Sequence, residues 1–163
     1  MVEIRAKIGG GGTVRVTGRL ELPFELRQKR WLSARLASGE EVLLRLPRGS
    51  LLRGGDLLET SDGRVIEVVA APEKVMHVEC ATPAELTRAA YHLGNRHVPV
   101  EIGQGFLRLI EDSVLEEMLR GRGAKLSFIE AAFEPEAGAY SGTHYQDADE
   151  EGSPVAKIHE YGG

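Results

Sequence analysis

Along residues 1–70, apolar and polar positions alternate in short runs, each closed by glycine, proline or serine. Met1-Val2-Glu3-Ile4-Arg5 opens the first run. Val14, Val16 and Gly18-Arg19-Leu20-Glu21-Leu22 form the second, behind a Gly9-Gly10-Gly11-Gly12 turn. Trp31, Leu32, Ala34 and Leu36 make a third, ended by Ser38-Gly39, and Glu41 to Leu46 a fourth, ended by Pro47 and Gly49. Leu57-Leu58 and Arg64 to Val69 flank Ser61-Asp62-Gly63, a hairpin signal because aspartate and glycine accept the backbone angles of a tight turn. A period of two is that of a strand with one face buried. Strands this short, broken this often, predict a small sandwich or barrel-like unit rather than a parallel sheet. The glycine run precedes neither Gly-Lys-Ser/Thr nor a helical pattern, so it reads as a turn and not as a phosphate loop.

At Ala70-Ala71-Pro72-Glu73 the period changes, which places a domain boundary: an N-terminal β domain over 1–72 and a second domain over 73–140. Lys74 to Cys80 fits a strand. Thr82-Pro83-Ala84-Glu85 then reads as a helix start, with Thr82 as cap, Pro83 at the first helical position and Glu85 closing a capping box. Leu86, Ala90 and Leu93 share a face, and Gly94 offers the stop. Val98, Val100 and Ile102 alternate as a strand, Gly103 and Gly105 turn, and Phe106 to Leu109 returns. A second helix spans about Asp112 to Arg120, with Val114, Leu115 and Met118 inward and Gly121 or Gly123 closing it. Lys125 to Phe133 supplies the last strand. The fold class is α+β, and the second half follows the β-α-β-β-α-β, split-βαβ or ferredoxin-like plan. Residues 141–163 are expected to form a flexible acidic tail.

Composition narrows the function classes. Hydrophobic residues make up 42% of the chain and charged residues 28%, as in ordinary soluble proteins. The lone Cys80 excludes an internal disulfide framework and suits a reducing compartment. With no transmembrane run and no signal peptide, the expected address is the cytoplasm, away from the membrane. The net charge of −5 is uneven. Residues 1–74 carry 13 Lys/Arg against 10 Asp/Glu, and the remainder 7 against 15. From Leu126 through Ala156 there are seven acidic residues and no Lys or Arg, which points away from nucleic acid and towards cations or basic proteins. An acidic tail also simply keeps a protein soluble, and charge alone favours that reading.

The chemistry-bearing residues are five histidines, His77, His92, His97, His144 and His159. None falls in an HExxH or paired zinc-finger spacing, and there is no Gly-x-Ser-x-Gly elbow, so no catalytic centre assembles from this set. His97 follows Gly94-Asn95-Arg96 where the first long helix ends, facing out of the fold. Taken alone it reads as a solvated surface histidine. A partly charged His92 suits the helix C-terminus, and His77 fits packing or surface better than ligation. A divalent metal takes about four to six ligands. If His97 binds one, the remainder comes from a second chain across a two-fold axis or from His144 in the tail. Such an open imidazole site would both bind and release nickel. Carboxylate ligands, if any, would come first from Glu134 and Glu136.

These residues also carry a family resemblance. Tyr91-His92-Leu93-Gly94-Asn95-Arg96-His97-Val98-Pro99-Val100, Val114-Leu115-Glu116-Glu117-Met118-Leu119 and Phe133-Glu134-Pro135-Glu136-Ala137-Gly138-Ala139-Tyr140 resemble the UreE urease accessory family. Leu22-Pro23-Phe24, Arg27-Gln28-Lys29-Arg30, Leu46-Pro47-Arg48-Gly49 and Gly63-Arg64-Val65 extend the resemblance across about residues 1–140 in register. It implies an N-terminal domain similar to a chaperone's peptide-binding domain, for peptide or partner binding, and a ferredoxin-like domain for metal binding and dimerisation. It further implies a non-enzymatic homodimer that delivers nickel to apo-urease with an accessory GTPase. His97 matches the family's shared ligand, and His144 the histidine that often follows the Gly-Ala-Tyr segment. Zinc and copper compete for imidazole sites, so nickel as cargo rests on the resemblance.

The chain departs from some members. Where those carry histidines before the second helix, it has Ile110, Glu111, Asp112 and Ser113, and its tail is acidic rather than histidine-rich. Fewer metals per dimer are expected. The alternative role, nickel or zinc storage and homeostasis, loses ground on the same point. Gly103-Gln104-Gly105-Phe106-Leu107-Arg108 superficially resembles an acylphosphatase anion loop, but it joins the second and third strands and is read as a hairpin turn. An RNA-recognition reading fails on aromatic content of 6% and an acidic second half.

Overall fold

The computed structural model describes residues 1–9 and 12–138. Two sheets divide the chain. The first contains β1 (Val2–Ile8), β2 (Gly18–Leu22), β3 (Trp31–Arg35), β4 (Glu41–Arg45), β5 (Leu57–Thr60) and β6 (Val65–Ala70), with a one-turn helix α1 (Phe24–Arg27) after β2. Its strand order is β2-β6-β5-β1-β4-β3. Most neighbours are antiparallel, yet β1 runs parallel to β4 and β2 parallel to β6, so the unit is a mixed sheet. The long connections through α1 and through the β5–β6 hairpin allow this, because a parallel neighbour needs a crossover. The edges meet: Ala37 N–H, just past β3, donates to Arg19 O of β2 at 2.9 Å, which curls the sheet on itself. The alternating side chains Ile4, Leu20, Val42, Leu44, Leu58, Ile66 and Val68 fill the inside as one cluster. Each such side chain contributes about 1.5–3 kcal/mol by leaving water. Val14 and Val16, expected to lead β2, lie before it and are exposed.

The β5–β6 turn forms on Ser61-Asp62-Gly63 as expected. Gly63 takes φ 85°, and Thr60 Oγ1 accepts the Arg64 N–H at 2.8 Å. The Arg64 guanidinium then bridges Asp62 and Glu40, fastening the hairpin to the β3–β4 turn.

The second sheet contains β7 (Pro72–Glu79), β8 (Glu101–Gly103), β9 (Phe106–Ile110) and β10 (Lys125–Ala132), in the order β10-β7-β9-β8 with antiparallel neighbours throughout. Helices α2 (Pro83–Asn95) and α3 (Ser113–Gly121) complete a β-α-β-β-α-β succession. Met76, Val78, Leu107 and Leu109 of the sheet pack with Ala89 and Leu93 of α2 and Leu115 and Leu119 of α3. The Thr82 hydroxyl accepts the Glu85 N–H at 3.2 Å and Pro83 begins α2; Asp112 caps α3 through two N–H groups. Two expectations need correction. Val114, read as inward, is 61% exposed, because it stands in the first turn of a short helix whose packed face is Leu115 and Leu119. β8 begins at Glu101 rather than Val98, since Val98 still belongs to the ending of α2. Among the described residues no helix is long and apolar enough to cross a membrane.

One charged side chain stands between the sheets. Arg27 of α1 is fully buried. Its Nε donates to Leu22 O and its Nη1 to Leu52 O, each at 3.1 Å, while Nη2 donates to Phe133 O beyond β10. Nη1 also meets the Glu134 carboxylate at 2.6 Å. Burial pulls the guanidinium below its ordinary pKa, and the Glu134 and Glu73 carboxylates oppose that pull. Phe133 is buried and meets Phe24 edge to face at 5.5 Å. The two halves are therefore joined by a satisfied polar lock inside an aromatic contact.

Candidate metal centre

His97 sits at the end of α2, and the way that helix ends decides how it is presented. Gly94, expected to stop α2, is instead inside it: the helix runs to Asn95 and is capped by Arg96. His97 N–H donates to Gly94 O at 3.0 Å and Val98 N–H to Leu93 O at 3.1 Å, the paired bonds of a Schellman ending. Val98 returns onto the core beside Leu93, and that return places the left-handed residue at position 97. His97 accordingly has φ 56°, the only positive φ on a non-glycine among the described residues. The same ending closes α3, where Gly123 N–H donates to Arg120 O and Ala124 N–H to Leu119 O. There the left-handed position holds glycine, φ 82°. A side chain in that conformation costs about 1–2 kcal/mol. His97 is thus an exposed histidine in a conformation that glycine takes at lower cost.

A groove of about 590 Å³ opens beside His97. Ala90 and Gly94 of α2, then Val98, Pro99, Val100 and Ile102, supply one wall. Glu136, Ala137 and Gly138 pass along another, and Phe24 and Gln28 reach in from the first sheet. The segment after β10 is held by Glu134 N–H on the Glu101 carboxylate and by Glu136 N–H on Val100 O, both at 2.8 Å. Ile102 is 55% exposed, an apolar side chain at the groove that the described chain leaves uncovered.

The other candidates separate. Glu134, one of two carboxylates considered, is engaged by Arg27, by Gly54 N–H and by Arg53, so its oxygens serve the lock. Glu136 shares the groove with His97. His77 has both ring nitrogens occupied, Nε2 by Glu79 and Nδ1 by Arg108, and stacks on Phe106 at 4.6 Å. Its reading as packing rather than ligation fits that environment. Burial and neighbouring Glu85 push the Cys80 thiol up in pKa, away from the thiolate a metal needs. His92 lies against Tyr91 near the end of α2. His144 and His159 lie outside the described residues. Among those described, no cluster of three or more histidine, cysteine, aspartate or glutamate residues forms a ready metal site. Sequence reading had named His97 but not the groove; Phe24 and Gln28 reach it only through the meeting of the two sheets.

Comparison with known proteins places this arrangement. Residues 4–71 match the family model described as the UreE urease accessory protein N-terminal domain, and residues 73–161 the corresponding C-terminal domain. A protein of Nitrosospira multiformis named urease accessory protein UreE is 51% identical over 132 residues, covering 80% of this chain and 75% of that one. Proteins of the same name from Azotobacter vinelandii and Pseudomonas fluorescens are 50% and 49% identical over 146 residues, each covering 88% of both chains. Both halves of the fold are thus matched in sequence, and the chain belongs to the UreE urease accessory protein family.

Proposed function

We propose that this chain is a cytoplasmic metallochaperone, without catalytic activity of its own, that binds nickel as cargo at His97 and delivers it to apo-urease during assembly of the urease active site. The observation that carries the reading is His97 itself: exposed, strained into a left-handed ending that its counterpart Gly123 fills without cost, and set at a groove. Family membership supplies the urease context. The functional division is 1–72 for partner binding and 73–140 for metal binding and dimerisation, with His144, outside the described residues, as a further ligand. The order β10-β7-β9-β8 supports assigning the second domain to the ferredoxin-like plan. The exposed Trp31, with the Arg45 guanidinium 4.5 Å over its ring, is a surface suited to a partner such as the accessory GTPase or the apo-urease complex.

One imidazole per chain underfills a nickel ion, so the working form is a homodimer meeting near His97. Zinc and copper compete for the site. Imidazole must be neutral to ligate, so nickel affinity falls as the medium is acidified. Calorimetric titration of nickel into wild type, His97→Ala and His144→Ala, with mass determined in parallel, tests the proposal. His97→Ala should abolish the tight site, and His144→Ala should weaken it with stoichiometry nearly intact. Wild-type affinity in His97→Ala would overturn the assignment.

A further inference from the structure

Glu134 and Glu136 stand two residues apart after β10, and the fold sends them to different work. Glu134 faces the lock, where Arg27, Gly54 and Arg53 surround its carboxylate. Glu136 is exposed, enters no ion pair among the described residues, and is the only negatively charged side chain lining the His97 groove. Apart from His97, the one other polar side chain there is the neutral Gln28.

The position of Glu136 is built rather than incidental. Phe133 and Pro135 are buried, so the chain is anchored on the near side. The N–H of Glu136 is tied to Val100 O at 2.8 Å, and Val100 is three residues beyond His97 in the segment that leaves the helix ending. Metal donors on two such anchored segments need little ordering when a cation arrives, in contrast to donors that must be fixed at a cost of ~1–2 kcal/mol per residue.

Resting on the reading of His97 as a nickel site, we propose that Glu136 supplies a carboxylate oxygen to the cation held there. Two chains meeting at His97 then furnish two imidazoles and two carboxylates, a four-donor set that His144 supplements. A mixed nitrogen and oxygen set suits a divalent first-row metal and holds it less tightly than a set of soft ligands, as delivery requires.

Nickel titration of the full-length protein tests this in wild type, Glu136→Gln and Glu136→His, each with and without His144→Ala. Among the described residues only the backbone of residue 136 is hydrogen-bonded to the fold, so dimer mass and unfolding midpoint should stay unchanged. Glu136→Gln should lower affinity at least as far as loss of an outer-shell partner does, about 10–100-fold, and by the same factor in the His144→Ala background. Glu136→His should restore nickel binding, a gain that a structural role would not produce. Unchanged affinity in Glu136→Gln, with the tight site lost in His97→Ala, would overturn the role of Glu136 alone. Unchanged affinity in His97→Ala would remove the site on which it rests.

Discussion

His97 and Gly123 occupy the same position in two copies of one helix ending: each donates its N–H three residues back and takes a positive φ, 56° for His97 and 82° for Gly123. Only at Gly123 does residue type match backbone. If His97 holds nickel as proposed, stability and function pull apart there, and His97→Gly should separate them. The fold should gain about 1 kcal/mol, visible as a rise of ~2–4 °C in unfolding midpoint, while tight nickel binding disappears. His97→Ala should lose nickel without that gain, since alanine keeps the Cβ. A fall in midpoint for His97→Gly would show that the imidazole itself holds the ending together.

Arg27→Met should be the most damaging single change at the junction. It strands the Leu22, Leu52 and Phe133 carbonyls and leaves Glu134 without its closest partner. Breaking a buried pair costs about 3–5 kcal/mol, and the lower end applies because Glu134 is partly exposed. Denaturant unfolding measures it. Arg27→Lys should rescue little, because one ammonium cannot span acceptors arranged around a planar fork.

Acid stability should report the β5–β6 hairpin. Hydrogen bonds from Arg64 and Thr60 hold the Asp62 carboxyl at about 2, against an ordinary 3.8. A depressed folded-state pKa adds stability above the unfolded value and loses it as pH falls towards the folded one. The unfolding midpoint should therefore drop between about pH 4 and pH 2, and Asp62→Asn should flatten that window while lowering the neutral-pH midpoint. Equal slopes for both proteins would remove Asp62 from the account.

Dimerisation should precede metal. Wild type should sediment as a dimer in the presence of chelator, and Ile102→Asp should shift it towards monomer by placing a charge on the exposed apolar rim of the groove. Nickel affinity should fall with it. A metal-free wild type that is monomeric at micromolar concentration would leave His97 and Glu136 without a second chain.

Periodicity carried most of the fold. Alternation and the Ser61-Asp62-Gly63 turn located the strands of the first sheet, and the Thr82-Pro83 start and the β-α-β-β-α-β order of the second half were legible because their determinants are neighbours in sequence. What escaped was set by distant partners. Arg27 sits in the run Arg27-Gln28-Lys29-Arg30, where nothing local marks it for burial, and its partners Phe133 and Glu134 are 106 and 107 residues away. α1 is too short for any period. The left-handed His97 was masked by Gly94, a better stop by type, because Val98 and its return to the core decide where the helix ends. The groove needs both sheets at once, so no local pattern announces it.

The Arg27 lock also bears on how cargo changes hands. The planar guanidinium ties Leu22 and Leu52 of the first half to Phe133 and Glu134 of the second through three carbonyls and a carboxylate. On the proposed delivery role, a partner gripping the first sheet would also aim the groove, making handover a matter of docking angle rather than of a tethered search.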